Sequence, residues 1–169
     1  TINLFNKKCK IIFVLTGKNT MTGGRVKRAA KLISEKNFYL TYGDGLSSVN
    51  IEKLTKFHFK NKKLVTVTAV RPPARFGELI IKNKKVISFS EKKPIKTSWI
   101  NGGFFIINKK FIKFIKNDKT IPERNPLEKV AKIGQLSAFK HDKFWQCMDT
   151  KRDLDNLRAL HLKSKLWLH

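Results

Sequence analysis

Short unbroken apolar runs alternate along this chain with longer stretches whose apolar residues fall at helical spacing. Ile11 to Leu15 is one such run and predicts a buried strand, closed by the breaker Thr16-Gly17-Lys18-Asn19. After the loop Thr20-Met21-Thr22-Gly23-Gly24, the positions Val26, Ala29, Ala30 and Ile33 share one helix face, which predicts a helix from Arg25 to Ile33. Phe38 to Thr41 reads as a strand, Ser47 or Ser48 as the cap of a helix from about Asn50 to Phe59, and Leu64 to Val70 as a further strand. Strand, helix, strand, helix, strand is the order of crossover units, so an α/β fold with a mainly parallel sheet is expected.

Beyond Arg71-Pro72-Pro73 the pattern changes. Gly77 to Ile81 and Lys85 to Phe89 flank Lys82-Asn83-Lys84 as a small hairpin. Ile100 to Ile107 is another apolar strand, Phe111 to Ile115 and Leu127 to Ile133 read as helical, Ser137 to His141 as a strand, and Asp149 to Leu162 as a closing amphipathic helix. Neither an internal repeat nor a linker interrupts the 169 residues, and 41% hydrophobic content suffices for one core, so residues 1–169 are read as a single domain. No apolar run approaches a membrane span, and polar residues break up the first ten positions, so neither a membrane nor a secretory route is expected. Cys9 and Cys147 lack metal-ligand spacing and read as small core residues in a reduced, cytoplasmic setting.

Candidate chemistry starts at Tyr42-Gly43-Asp44-Gly45, which sets a carboxylate between two glycines at a strand end. Ligand crevices of open α/β sheets lie at the carboxyl ends of the strands, although Gly-Asp-Gly alone equally describes a turn in which Asp44 bonds its own backbone. Asp149 stands at the start of the last helix, where an N-cap is the plainer reading. Together the two aspartates could hold Mg²⁺, a hard ion that takes one or two carboxylates and completes its shell with phosphate oxygens. On that reading they converge on one crevice.

Thr22-Gly23-Gly24-Arg25 is a Gly-rich turn into a helix, where free N–H groups could face an anion, though it is no Walker motif. Lys92, after Glu91, could hold a phosphate as a point charge. Asn101-Gly102-Gly103 offers an amide and bare backbone suited to sugar hydroxyls, or simply a kinked strand entry. His58 and His141 have no partner at telling spacing and receive no catalytic role.

The formal charge of +25 raises the possibility of nucleic-acid binding. Its lysines are scattered along the whole chain, as at Lys7, Lys36, Lys62, Lys84 and Lys110, and this argues for solvated faces and against a specific nucleic-acid stripe. The charge still acts as a field that attracts polyanionic substrates.

Five ordered blocks together carry a family resemblance. Asn19-Thr20-Met21-Thr22-Gly23-Gly24-Arg25, Thr41-Tyr42-Gly43-Asp44-Gly45, Val67 to Gly77, Trp99-Ile100-Asn101-Gly102-Gly103-Phe104-Phe105 and Phe144-Trp145-Gln146-Cys147-Met148-Asp149-Thr150 closely resemble the glucose-1-phosphate cytidylyltransferases, of the sugar-nucleotide pyrophosphorylase group. The resemblance implies a Rossmann-like nucleotidyltransferase fold, Mg²⁺ as cofactor, and formation of CDP-glucose and pyrophosphate from CTP and glucose 1-phosphate, typically for deoxysugar and surface-polysaccharide synthesis. Matched residue by residue, it makes Asp44 and Asp149 the metal ligands and places Thr20, Gly24 and Arg25 at the nucleotide. It sets Lys92 on the sugar phosphate, and Glu91, Asn101 and Gly102 near the glucose.

The resemblance begins near Lys10. Family members start with a strand and a Gly-x-Gly-Thr-Arg loop that cradles the triphosphate, then a lysine-bearing segment, and these 169 residues contain no such region. The chain therefore resembles the C-terminal two-thirds of such an enzyme, which implies little or no activity in isolation. Leu15, where the family usually has an acidic residue, is a smaller departure. A relative with another base or hexose specificity and a noncatalytic sugar-phosphate-binding remnant stay open, as does assembly into a homo-oligomer.

Overall fold

The computed structural model describes residues 2–4, 7–71, 77–90, 98–163 and 167. In chain order, β1 (Ile2–Leu4) and β2 (Lys7–Cys9) form a small antiparallel pair, followed by α1 (Thr22–Ala29) with a 3-10 turn over Ala30–Leu32. Then come β3 (Asn37–Thr41), β4 (Gly45–Ser47), α2 (Ile51–Asn61), β5 (Val65–Val70), β6 (Glu78–Lys82) and β7 (Lys85–Ser90). The remainder is β8 (Ile100–Asn108), a 3-10 helix over Lys109–Phe114, α3 (Asn125–Lys132), β9 (Leu136–His141), β10 (Trp145–Cys147) and α4 (Lys151–Lys163).

The central sheet has the order β3-β8-β5-β9. β8 runs antiparallel to both β3 and β5, while β5 and β9 are parallel, so β3, β5 and β9 share one direction. The expected crossover β3–α2–β5 is therefore present, but β8 occupies the place between its two strands. Phe105, Ile106 and Ile107 are at most 3% exposed, and this burial on both faces is why β8 reads as a continuous apolar run. On one face Phe38, Val65, Phe105 and Ile107 pack with Ala30, Phe111, Ile115 and Val130, which brings α1 and α3 onto the sheet. The other face carries α2, through Tyr39 to Thr55 at 2.7 Å and His58 to Thr66 at 2.8 Å.

Several sequence expectations change. Ile11 to Leu15 forms no strand; Phe13 is 91% and Leu15 98% exposed, because no described element pairs with or covers the run. Asn50, rather than Ser47 or Ser48, caps α2: its side chain accepts from Lys53 N–H at 2.8 Å, while Ser47 closes β4. Phe111 to Ile115 lies mostly in a 3-10 helix. The hairpin forms as expected around Asn83 and Lys84, whose φ angles of 48° and 66° suit the tight turn favoured by strand twist, and its Ile81, Ile87 and Phe89 are exposed. Cys9 and Cys147 are half-buried and form no disulfide, and no helix of the described residues is long and apolar enough to cross a membrane.

His58, 3% exposed, anchors α2 to the sheet, and burial holds its imidazole below the ordinary histidine pKa. The unfolded chain then binds more protons than the native chain, so this contribution is complete above the ordinary value of about 6.5 and is lost as pH falls through the native one. Thermal and urea unfolding between pH 7.5 and 5 should show stability falling with a slope of up to about 1.4 kcal/mol per pH unit from this group, flattened in His58→Gln. An unchanged slope in that variant would remove His58 as its source.

Candidate active site

Because β3, β5 and β9 run together, their carboxyl ends and the entry to β8 share one edge. Thr41 pairs with Phe104, and Val70 with both Ile100 and His141. Asp44 lies beyond β3, between that strand and β4, and is exposed. Cys147 of β10 pairs with Gly45 of β4, and the Asp44 carbonyl accepts the Met148 N–H at 2.8 Å. This short ribbon sets Met148, the neighbour of Asp149 in sequence, against the backbone of Asp44. Asp149 is not the helix cap. Thr150 and Asp153 cap α4 reciprocally, with the Asp153 N–H on Thr150 Oγ1 at 3.2 Å and the Thr150 N–H on Asp153 Oδ2 at 3.0 Å. The Cys147 thiol donates to Asp149 Oδ2 at 3.2 Å.

Asn101, Gly102 and Gly103 meet the same edge. Trp145 Nε1–H donates to the Gly102 carbonyl at 2.8 Å, which latches β10 to β8. The Gly103 carbonyl accepts the Tyr42 N–H at 3.0 Å, and Gly103 has φ +80°; a Cβ there would sit 2.9 Å from the Tyr42 ring. Glycine is thus required for both the backbone conformation and the approach of the ring. Asn101 Oδ1 accepts the Gly103 N–H at 2.9 Å, its Nδ2 donates to the Tyr42 hydroxyl at 3.0 Å, and that hydroxyl donates to Glu123. Burial pushes the Tyr42 hydroxyl above the usual phenol range, the Glu123 hydrogen bond and charge add to the shift, Asn101 opposes it, and Asp44 adds a little more. It therefore stays protonated as the donor to Glu123.

Thr20, Gly24 and Arg25 form a second cluster. Thr20 is 7% exposed. Arg25 donates to Thr16 Oγ1 at 2.6 Å and to the Lys18 carbonyl at 3.4 Å, while Arg28 donates to the Thr16 carbonyl at 2.9 Å and pairs with Asp118 at 2.5 Å. These arginines fold the 16–20 loop over α1. The helix start is partly closed by the chain itself: the Met21 N–H donates to Asp118 O at 2.7 Å and the Gly23 N–H to Thr120 O at 3.0 Å. A Cβ on Gly23 would lie 2.5 Å from Thr120 O, and one on Gly24 2.8 Å from Asp118 Cα, so close helix-to-loop packing explains both glycines. The segment from Asn117 to Glu123 thereby touches both clusters, at α1 with one end and at Tyr42 with the other.

Glu91 and Lys92 lie outside the described residues. Tyr42 and Glu123 were missed by sequence reasoning, since nothing in the spacing of Ile121-Pro122-Glu123 marks a contact with a residue so distant in the chain. Among the described residues no group of three or more His, Cys, Asp or Glu could hold a metal. A cavity of about 540 Å³ bordered by Lys36, Lys62, Lys63 and Lys110 lies at the opposite, amino-terminal end of β3, β5 and β9.

No protein-family model matches the chain. Over 156 residues it is 44% identical to the glucose-1-phosphate cytidylyltransferase of Salmonella typhimurium, a match covering 92% of this chain and 61% of that enzyme. The chain thus spans less than two-thirds of that relative. Among solved structures, HddC from Yersinia pseudotuberculosis superposes with a TM-score of 0.68 at 25% identity, over 95% of this chain and 70% of that one. A Bacillus anthracis protein provisionally designated a glucose-1-phosphate thymidylyltransferase gives a TM-score of 0.62 at 20% identity, over 89% and 66%, a likeness of fold alone.

Proposed function

We propose, from its similarity in sequence to a glucose-1-phosphate cytidylyltransferase and in fold to nucleotidyltransferases, that the chain carries the metal and sugar side of a site making CDP-glucose and pyrophosphate from CTP and glucose 1-phosphate. The observation that supports this most is the backbone contact between Asp44 and Met148, which draws two carboxylate-bearing turns to one sheet edge. Both turns lie inside blocks that resemble the family.

Asp44 and Asp149 would hold Mg²⁺, and the donor set fits that ion, since two carboxylate side chains leave room for water and phosphate oxygens. When bound, the ion supplies neutralisation of charge at the α-phosphate. A phosphate oxygen of glucose 1-phosphate attacks the α-phosphorus of CTP in line. As that P–O bond forms, the bond to the bridging β-phosphate oxygen breaks and pyrophosphate leaves with the electron pair. No protein nucleophile takes part, so the residues act by holding two mutually repelling anions in register. Lys92 would bind the sugar phosphate, while Glu91, Asn101 and the Gly102 backbone meet glucose hydroxyls. On the nucleotide side, Thr20, Gly24 and Arg25 form the wall, with Arg25 also bracing the 16–20 loop. The net charge of +25 draws both anions in.

The test is product analysis by ³¹P NMR with the chain joined behind the amino-terminal part of a complete cytidylyltransferase. CDP-glucose and pyrophosphate should appear in equal amounts from CTP and glucose 1-phosphate, ahead of UTP, GTP or dTTP. Preference for another nucleotide would reassign the base, and no product with any of them would sink the reading.

A further inference from the structure

The Tyr42 hydroxyl joins three segments of the candidate site that are far apart in sequence, and nothing in the proposed reaction yet uses it. Its donor bond goes to Glu123 in the loop before α3, and its acceptor position takes the Asn101 Nδ2–H at 3.0 Å. The other end of the same amide is held as well, because Asn101 Oδ1 accepts the Gly103 N–H at 2.9 Å. That bond settles which end of the amide is oxygen. An asparagine side chain offers two N–H donors and two acceptor lone pairs. One of each is engaged here, so the remaining donor and lone pair emerge from the edge in one fixed orientation, a pattern that matches a hydroxyl able to accept and donate.

Stability alone accounts poorly for the arrangement. Asn101 and Glu123 are both exposed, and hydrogen bonds between exposed groups add little to folding because water competes for them. Gly103 meanwhile adopts φ +80° beneath the Tyr42 ring, a placement open to glycine and closed to most residues. The ring itself packs at 5.7 Å from Phe105, so the phenol is fixed by its body as well as its tip. Glu123 is anchored in turn, since its loop continues from Asp118 and Thr120, whose carbonyls bond the start of α1.

We propose that Tyr42 and Glu123 are positioning residues for sugar recognition, Glu123 fixing the Tyr42 hydroxyl and Tyr42 fixing the Asn101 amide toward a glucose hydroxyl. This rests on the reading that Asn101 faces the sugar. Neither residue touches the reacting phosphates, so the phosphate part of recognition is independent of them.

The experiment is calorimetric titration of the 169-residue chain with glucose 1-phosphate and, separately, with inorganic phosphate. Tyr42→Phe removes one oxygen and keeps the ring against Gly103, and Glu123→Ala removes the acceptor. Each should weaken glucose 1-phosphate binding about five- to tenfold, the range of one well-placed hydrogen bond, with phosphate binding unchanged. Glu123→Gln keeps an oxygen for the Tyr42 hydroxyl and should bind glucose 1-phosphate nearly as the wild type does. Loss of both affinities together in Tyr42→Phe would point to a general structural role and overturn the proposal. So would wild-type affinities for both ligands in Tyr42→Phe and Glu123→Ala, with the sugar site itself left standing. A wild-type chain that does not prefer glucose 1-phosphate over phosphate would remove the sugar site, and the positioning role with it.

Discussion

Asp44→Asn should lower kcat at least about a hundredfold, on the order of 3 kcal/mol of transition-state stabilisation, in the chain completed with a triphosphate-binding loop. An amide has nearly the shape of the carboxylate, so the turn between β3 and β4 and the Met148 N–H bond to the Asp44 carbonyl should persist. What changes is charge. A neutral amide oxygen is a poor ligand for a hard divalent ion and cannot balance it, so the loss should appear in kcat at saturating CTP and should not be recovered by more glucose 1-phosphate. Metal affinity provides a readout separate from turnover: Mn²⁺, followed by its paramagnetic effect on water relaxation, should bind the wild type more tightly than Asp44→Asn. A nucleic-acid binder with a charge of +25 would behave oppositely, since removing one negative charge would leave duplex affinity unchanged or slightly higher, with a steep salt dependence. Full turnover in Asp44→Asn alongside tight, salt-sensitive duplex binding would overturn the enzymatic reading.

Local signals made one half of this site legible and tertiary contacts hid the other. Gly43-Asp44-Gly45 after a β-prone run can be read because a strand end and its flanking glycines are neighbours in sequence, and the structure sets Asp44 at that edge. The Asn83-Lys84 turn and its flanking strands are legible for the same reason. Strand order is different. The apolar run of β8 announces a doubly buried strand, yet nothing in it says that β8 inserts antiparallel between β3 and β5, because its partners are chosen by packing across the whole sheet. Burial likewise depends on what is available to cover a run, which is why Ile11 to Leu15 misleads: its composition suits an interior strand, and its surroundings leave it exposed. With Ser47, Ser48 and Asn50 so close together, several residues could cap α2, and the turn geometry selects Asn50. The glycines at 23 and 24 read as a phosphate-type turn, whereas their contacts with Asp118 and Thr120 give them a packing reason that only the folded chain reveals.

The 169 residues by themselves are expected to release pyrophosphate from CTP slowly or not at all. They span 61% of the Salmonella relative, and the Gly-x-Gly-Thr-Arg loop that the family resemblance assigns to the triphosphate is not among them. In-line transfer between two anions depends on neutralising and orienting the triphosphate, so a site that grips the sugar phosphate and the metal without holding the β- and γ-phosphates leaves the leaving group unsupported. Losing one such set of preorganised donors typically removes about 100- to 1,000-fold in rate, and losing a whole cradle together with its lysine should remove more. Supplying an amino-terminal segment that carries such a loop, in trans or by fusion, should give CTP-dependent release that requires glucose 1-phosphate. Asp149→Ala should abolish that activity while α4 keeps its Thr150–Asp153 cap, because on the proposed reading the substitution removes one of the two metal-holding carboxylates. Brisk pyrophosphate release by the unassisted chain, dependent on glucose 1-phosphate and lost in Asp149→Ala, would show instead that these residues build a complete triphosphate site, with the backbone around Thr20 and Gly24 the first place to look for it.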